Sequence, residues 1–450
     1  MRMSSIILII LITLVHFFTA HAQNPKIYSI NPSTIEVGAT AFPLVIEGSN
    51  FAKSAQVRIN GVDVETYFLS WNRIKATVTS DLLSNPSTLQ VQVIQRSGRS
   101  NIKNLTVVSA PVGSYDWSAL NAKLMSFVPS LVSGLTLQIT RNGRTIYLRA
   151  FGDQTVDSVL PIASSTKMPS ALAILTLVDE GRLNLDTPIS QYLNGYVNVP
   201  PDKASITVRM LLNHTSGLQQ SDCLNDQTSI TLRECVQRIL NSPLQFTPGS
   251  RFSYGGASFQ VAGGVVEAIT GQSWNEFFNR KIAIPLGLTR FTYTNTQNPR
   301  IAGGAYSDVG DYSKIMQAYL AGGVYGSTRV LSRQMYYEMQ NDQKRDLPVV
   351  NSPGGEVLTG YSFGWWHTSL TYLQSQPRPQ TPGPELSDQG AFGCTPWIDL
   401  HYNYTAILLI RDRTSSGTRI WEAIRPLIIE QILANSQSSN IHTKPLVKSD

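Results

Sequence analysis

Charged residues are scarce in this chain, 15% of 450 against 42% apolar residues, and cysteines number three. That balance supplies material for packed cores and lacks the composition of a disordered chain. The formal charge of +6 is spread thinly, with no Lys/Arg cluster, so no nucleic-acid partner is implied. Beyond the N-terminus no apolar run is long enough to cross a bilayer. The histidines form neither H-E-x-x-H nor any other metal-ligand spacing with Cys or carboxylates, and no glycine loop has a phosphate-cradling pattern. No metal and no cofactor are expected, and no internal repeat is present.

The N-terminus has the layout of a secretory signal. Arg2 supplies positive charge, residues 6–18 are apolar, and Ala20-His21-Ala22 offers small residues for cleavage. Residues 1–22 are therefore expected to be removed, with an uncleaved signal anchor as the alternative. The expected location is secreted or extracellular, or periplasmic in a bacterium. An oxidising compartment would let Cys223 and Cys235 close a short loop, leaving Cys394 as a buried thiol. Sequons at Asn104, Asn213 and Asn403 matter only in a host that glycosylates.

Two domains are expected within 450 residues. Over residues 23–109, short strands at 44–46, 57–59, 76–78 and 89–93 alternate with Gly/Asn turns, the pattern of an all-β sandwich. Residues 110–115 read as a linker. In the second domain, 116–434, two alternating runs flank Asn142-Gly143, a hairpin signal. A helix is expected after Lys167, with Met168, Leu172, Leu175 and Val178 on one face and Gly181 as its stop. Another is expected near 419–433, followed by a loose polar tail over 435–450.

Ser164-Ser165-Thr166-Lys167 carries the chemistry. Serine at the start of a helix, with lysine three residues on, puts a nucleophile and a proton acceptor on one face. The helix N-terminus adds N–H groups and a positive field suited to an oxyanion. This is the S-x-x-K device. A second match, Ser100 to Lys103, lies among the sandwich strands without support. Gly360-Tyr361-Ser362-Phe363-Gly364 matches the nucleophile elbow G-x-S-x-G, but the residues around it read as loop and strand.

Further motifs follow in order: Ile206-Thr207-Val208-Arg209-x-Leu211-Leu212-x-His214-Thr215-Ser216-Gly217-Leu218, Pro248-Gly249-x-x-Phe252-x-Tyr254, Thr270-Gly271, Tyr361-x-x-Gly364-Trp365-Trp366, and Gly390-Ala391-Phe392-Gly393-x-x-Pro396-Trp397-x-Asp399. With Ala163-Ser164-x-Thr166-Lys167, this series resembles the class C β-lactamase and penicillin-binding-protein-like serine hydrolases over about 116–433. Ile27-x-x-Ile30-x-Pro32, Gly38, Gly48-x-Asn50-Phe51 and Ile59-Asn60-Gly61 resemble the IPT/TIG immunoglobulin-like domains. The first resemblance implies an α+β fold, an antiparallel sheet flanked by helices beside a mainly helical region, with the site between them. It also implies acylation of Ser164 assisted by Lys167, Tyr254 as proton carrier, and an oxyanion hole from the N–H groups of Ser164 and of Ala391 on a strand. His214 is expected to be structural.

Two departures from the family pattern stand out. Gly256 replaces the asparagine of Y-x-N, and Asp388-Gln389-Gly390 replaces K-T-G or H-x-G. Asp388 in place of a cation would repel a substrate carboxylate, which favours neutral esters or amides. Trp365, Trp366, Phe392 and Trp397 line an acyl pocket or belong to the core. The expected activity is that of an esterase or amidase on a small-molecule or peptide substrate. A β-lactamase or D-alanyl-D-alanine carboxypeptidase is one alternative. The other is an inactive binding protein, and in either case the sandwich domain has a protein or a glycan as its expected partner.

Overall fold

A computed structural model describes residues 23–36, 41–108, 115–377 and 379–441. The signal segment and most of the linker lie outside the described residues. Residues 26–108 form two facing sheets. One runs Lys26–Asn31, Phe42–Ser49, Arg73–Val78, Thr66–Ser70; the other runs Thr34–Glu36, Lys103–Val108, Ser87–Gln95, Gln56–Ile59, Val62–Val64, with Gly98–Arg99 beside Ser87–Gln95. Inward residues such as Leu44, Ile46, Ile74, Ala76, Val91 and Leu105 are fully buried, as period-two alternation requires. The strand segments at 44–46, 57–59, 76–78 and 89–93 fall within observed strands. The strands Lys26–Asn31, Thr66–Ser70 and Lys103–Val108 are additional.

The second domain is built on a seven-stranded antiparallel sheet in the order Arg144–Gly152, Gly134–Arg141, Tyr404–Ile410, Thr395–Asp399, Glu385–Ser387, Trp366–Thr368, Leu358–Tyr361. The hairpin turns through Asn142 and Gly143 at φ 50° and 76°, both in the left-handed region that a tight two-residue turn demands. Tyr404, Ala406, Leu408 and Ile410 face the helices Ser118–Met125 and Thr414–Ile441, while Ile407 and Leu409 face the larger core. The last helix is longer than its apolar periodicity suggested. It continues to Ile441, so the beginning of the segment read as a loose tail is helical. Helix propagation adds a hydrogen bond per residue once the turn exists, which carries it past the buried Ile432.

Lys167–Asp179 is the central helix. Eleven residues from Lys167 to Leu177 are buried, so it is enclosed on all sides rather than amphipathic. It ends where Gly181 takes φ 67° and donates its N–H to Val178. Helices Val208–Leu212, Leu232–Asn241 and Ala257–Thr270 are among those on the helical side, where a disulfide joins Cys223 to Cys235. No helix among the described residues is long and apolar enough to cross a membrane.

The two domains touch through Tyr67. This sandwich tyrosine is buried in the core of the second domain, donates its hydroxyl to the Gly322 carbonyl at 3.1 Å, and meets the rings of Tyr336 and Tyr337 edge-on. Arg333 stacks on its face at 4.5 Å, and Arg329 pairs with Glu65 alongside.

Candidate active site

Ser164 sits in the 3-10 turn Ala163–Thr166 that opens the central helix. The chain arrives there through Ala163 at φ 47°, a left-handed conformation that a residue with a Cβ rarely adopts. Three residues on, Lys167 is 3% exposed, and its ammonium donates to Ser164 Oγ at 3.1 Å and to the Ala302 carbonyl at 2.9 Å. Burial pushes this amine down to about 8. The Asp388 charge opposes that fall and the Arg300 charge adds to it.

Tyr254 follows the short strand Phe252–Ser253 and precedes the helix Ala257–Thr270. Its ring centroid lies 4.6 Å from Lys167 Nζ and its hydroxyl interacts with that of Ser164. Burial first, and the Asp388 charge second, raise its hold on the proton. The phenol therefore stays protonated where the amine of Lys167 is poised to be neutral. His214, 1% exposed, packs against Tyr254 with ring centroids 4.7 Å apart and shares a hydrogen bond of 3.1 Å with the Tyr361 hydroxyl. Burial holds its imidazole neutral, with Lys167 adding to the effect. It backs the tyrosine rather than reaching Ser164.

The turn 390–393 closes the site from the sheet side. A Cβ on Gly390 would run into the Ile162 carbonyl and come within 3.1 Å of Ser165 Oγ, so only glycine lets this turn lie against the turn Ala163–Thr166. Gly364, at φ 87°, makes a similar approach to the backbone of Lys167 and Met168. Ala391 is in the turn itself, ahead of Thr395–Asp399, and not on a strand as the sequence suggested. Gly390 N–H bonds Cys394 O at 2.8 Å and Gly393 N–H bonds Gly390 O at 3.0 Å, a closed turn that leaves Ala391 exposed at its tip. The N–H of Ser164 belongs to the first turn of a helix, where donors lack internal acceptors.

Several expected contacts are not made. Asp388 is fully buried; its Oδ2 accepts the Met168 N–H at 3.2 Å, and its carbonyl accepts from Ser165 Oγ. Its carboxylate thus turns inward to the helix start, where N–H groups and dipole attract it, and presents no charge to a substrate. Burial pushes this carboxyl well up, with Lys167 opposing. Asp388 is therefore not placed to repel a substrate carboxylate. Gln389 accepts from Thr418 Oγ1 at 2.9 Å and faces the last helix. Trp365 is wholly buried against Tyr319, and Trp397 lies in the core beside Tyr404; neither lines a pocket. Trp366, 2% exposed, packs on Tyr254, and only Phe392 of the four aromatics is exposed. Ser362 of the alternative nucleophile motif is buried in a turn between two strands. Ser100 of the second S-x-x-K match is buried in the sandwich.

Three residues here escaped the sequence reading. Ala302 supplies the carbonyl that holds Lys167, and Arg300 acts on the same amine. Gln220 packs against the glycine pair after Tyr254: its Oε1 accepts the Gly256 N–H at 3.2 Å, and its Nε2 occupies the place a Cβ on Gly255 would need. Its position shortly after Gly217-Leu218 was the available signal, but a glutamine on a loop has no pattern that marks it.

Residues 130–427 match the beta-lactamase family. The chain belongs to that family. Residues 25–107 match the IPT/TIG domain. Among solved structures, a beta-lactamase candidate from Bacteroides dorei is 25% identical with a TM-score of 0.60, over 72% of this chain and 99% of that one. EstCE1, a hydrolase with promiscuous acyltransferase activity, shares the fold at 18% identity and a TM-score of 0.55, over 71% of this chain and 98% of its own. "Protein flp" of Staphylococcus aureus is 28% identical over 37% of this chain, and the matched part is 36% of that protein. The match thus spans about a third of the length of that curated relative. The beta-lactamase-family domain has the fold of serine hydrolases, and the IPT/TIG domain precedes it.

Proposed function

We propose that this chain is a serine hydrolase that works through an acyl-enzyme on Ser164, as an esterase or amidase. The observation that carries the reading is the 3.1 Å contact between the Ser164 hydroxyl and a buried Lys167 whose amine burial drives toward neutrality. A neutral amine can take the serine proton as Oγ attacks an ester or amide carbonyl. Between the two groups near the serine, Lys167 is the base, because Tyr254 is driven toward holding its proton. Tyr254 then passes a proton to the leaving group and recovers it from the Lys167 ammonium. The N–H groups of Ser164 and Ala391 receive the negative oxygen, a contribution of about 10²–10³ in rate per donor. Water attacks the acyl-enzyme in the second half, with the same groups working in reverse.

The N-terminal signal pattern and the disulfide support export to an oxidising compartment. The hydrolytic reading is tested by rapid mixing with p-nitrophenyl acetate. A burst of about one nitrophenolate per chain, with an acetyl adduct on the peptide containing Ser164, is expected for an acyl-enzyme. Steady release without an adduct would reject it.

A further inference from the structure

Tyr254 is packed among aromatic rings. His214, Tyr361 and Trp366 have centroids 4.7, 5.9 and 5.1 Å from its own, and Trp366 in turn meets Tyr361 at 4.8 Å and Phe252 at 5.9 Å. One of these neighbours does more than pack: the Tyr254 hydroxyl is hydrogen-bonded by the side chains of Ser164 and of Trp366. An indole N–H can only donate, so in the second bond the phenolic oxygen accepts. The His214 imidazole, by contrast, makes its hydrogen bond to the Tyr361 hydroxyl. Trp365, one residue before Trp366, lies in the large core with its N–H buried and without a partner among the described residues. Trp366 pairs in the sheet with Tyr361 on one side and Ser387 on the other. Successive residues along extended chain point opposite ways, so the second tryptophan of the pair reaches the site and the first does not.

A phenolic oxygen has one proton to give and lone pairs to accept with. An N–H fixed on one lone pair stops the O–H from turning freely and leaves it directed to the Ser164 side, where a leaving group departs. We propose that Trp366 is a positioning residue for proton transfer: its indole N–H aims the Tyr254 proton at the leaving group and steadies the oxygen once the proton has gone. This rests on the acyl-enzyme reading above. As the bond from the acyl carbon to the leaving oxygen or nitrogen breaks, that atom takes the Tyr254 proton, and the O–H electron pair stays on the phenolic oxygen. The negative charge remains there until the Lys167 ammonium, which holds the former Ser164 proton, returns one. A hydrogen bond to a charged oxygen is stronger than one to a neutral oxygen, so the N–H favours the state through which the transfer passes. Burial and the Asp388 charge hold the proton on Tyr254, and the bonds with Ser164 and Trp366 oppose them.

The test measures kcat/KM, which reads acylation, on acetate esters of p-nitrophenol, phenol and trifluoroethanol, leaving groups of increasing basicity and increasing need for a proton. Trp366→Phe keeps an aromatic ring and removes the N–H. It should lower the trifluoroethyl-to-nitrophenyl ratio about tenfold or more, the scale of losing a hydrogen bond to a charged group. Replacing the indole of Trp366 by benzothiophene, which keeps the bicyclic shape, should do the same and decides the matter if the Phe variant does not fold. In a Tyr254→Phe background neither change should lower the ratio further, because Trp366 acts through that hydroxyl. Loss by one factor on all three esters overturns the proposal, as does an undiminished effect without the Tyr254 hydroxyl. The nitrophenolate burst and the Ser164 adduct, followed on the same preparations, separate the two levels. A wild type with burst and adduct whose ratio survives loss of the N–H rejects Trp366 alone, whereas a wild type with neither rejects the acyl-enzyme and Trp366 with it.

Discussion

At the scale of single residues, the account turns on the proton of Lys167. Its amine must be neutral to take the serine proton, and burial brings the titration down to about 8. Below that pH the ammonium cannot accept, so kcat/KM on an ester should rise with pH through this region and level off above it. Lys167→Met should remove that limb and lower kcat/KM about 10²–10⁴-fold, the usual range for a positioned base. A profile unchanged in shape would show that another group holds the proton. The Ser164–Lys167 pairing was legible because three residues along a helix are neighbours whatever surrounds them. Asp388, Gln220 and Arg300 were not legible in the same way. The direction of Asp388 depends on the Met168 N–H across the fold, and Gln220 reaches a gap that exists only because Gly255 and Gly256 have no side chains.

At the scale of elements, the last helix and the sheet are fixed to each other by a buried ion pair. Arg425 Nη1 lies 3.4 Å from Glu385 Oε1, with the two side chains 2% and 0% exposed, and the guanidinium stacks over Trp421 at 4.9 Å. Thr368 donates to the same carboxylate oxygen at 3.1 Å. Removing one member of a buried pair leaves the other without compensation, so Arg425→Ala should cost about 3–5 kcal/mol in chemical denaturation. A loss within a few tenths of a kcal/mol would mean that water reaches Glu385. The strand containing Glu385 also leads directly to Asp388 and Gly390, so the pair anchors the segment that lies against the turn Ala163–Thr166. The hairpin at Asn142-Gly143 and the helix stop at Gly181 could be read from sequence because each rests on local backbone geometry. Short strands such as Glu385–Ser387 could not, since three residues show no period and are held by their neighbours in the sheet.

At the scale of the whole molecule, the division into sandwich and hydrolase domain follows from a change of periodicity, but their docking does not. Tyr67 looks like any alternating residue of a strand, yet it is buried in the core of the other domain. Tyr67→Ala should destabilise the docked state by about 3–5 kcal/mol, the range for a large buried aromatic. Calorimetry should then show the sandwich melting apart from the hydrolase domain; an unaltered single transition would mean that the contact contributes little. The central claim concerns Ser164 within the intact chain. It is tested most directly by reacting the wild type and Ser164→Ala with a fluorophosphonate probe and weighing each protein intact. The account predicts one adduct on the wild type and none on the variant. Equal labelling of both, or of neither while both are folded, would contradict it.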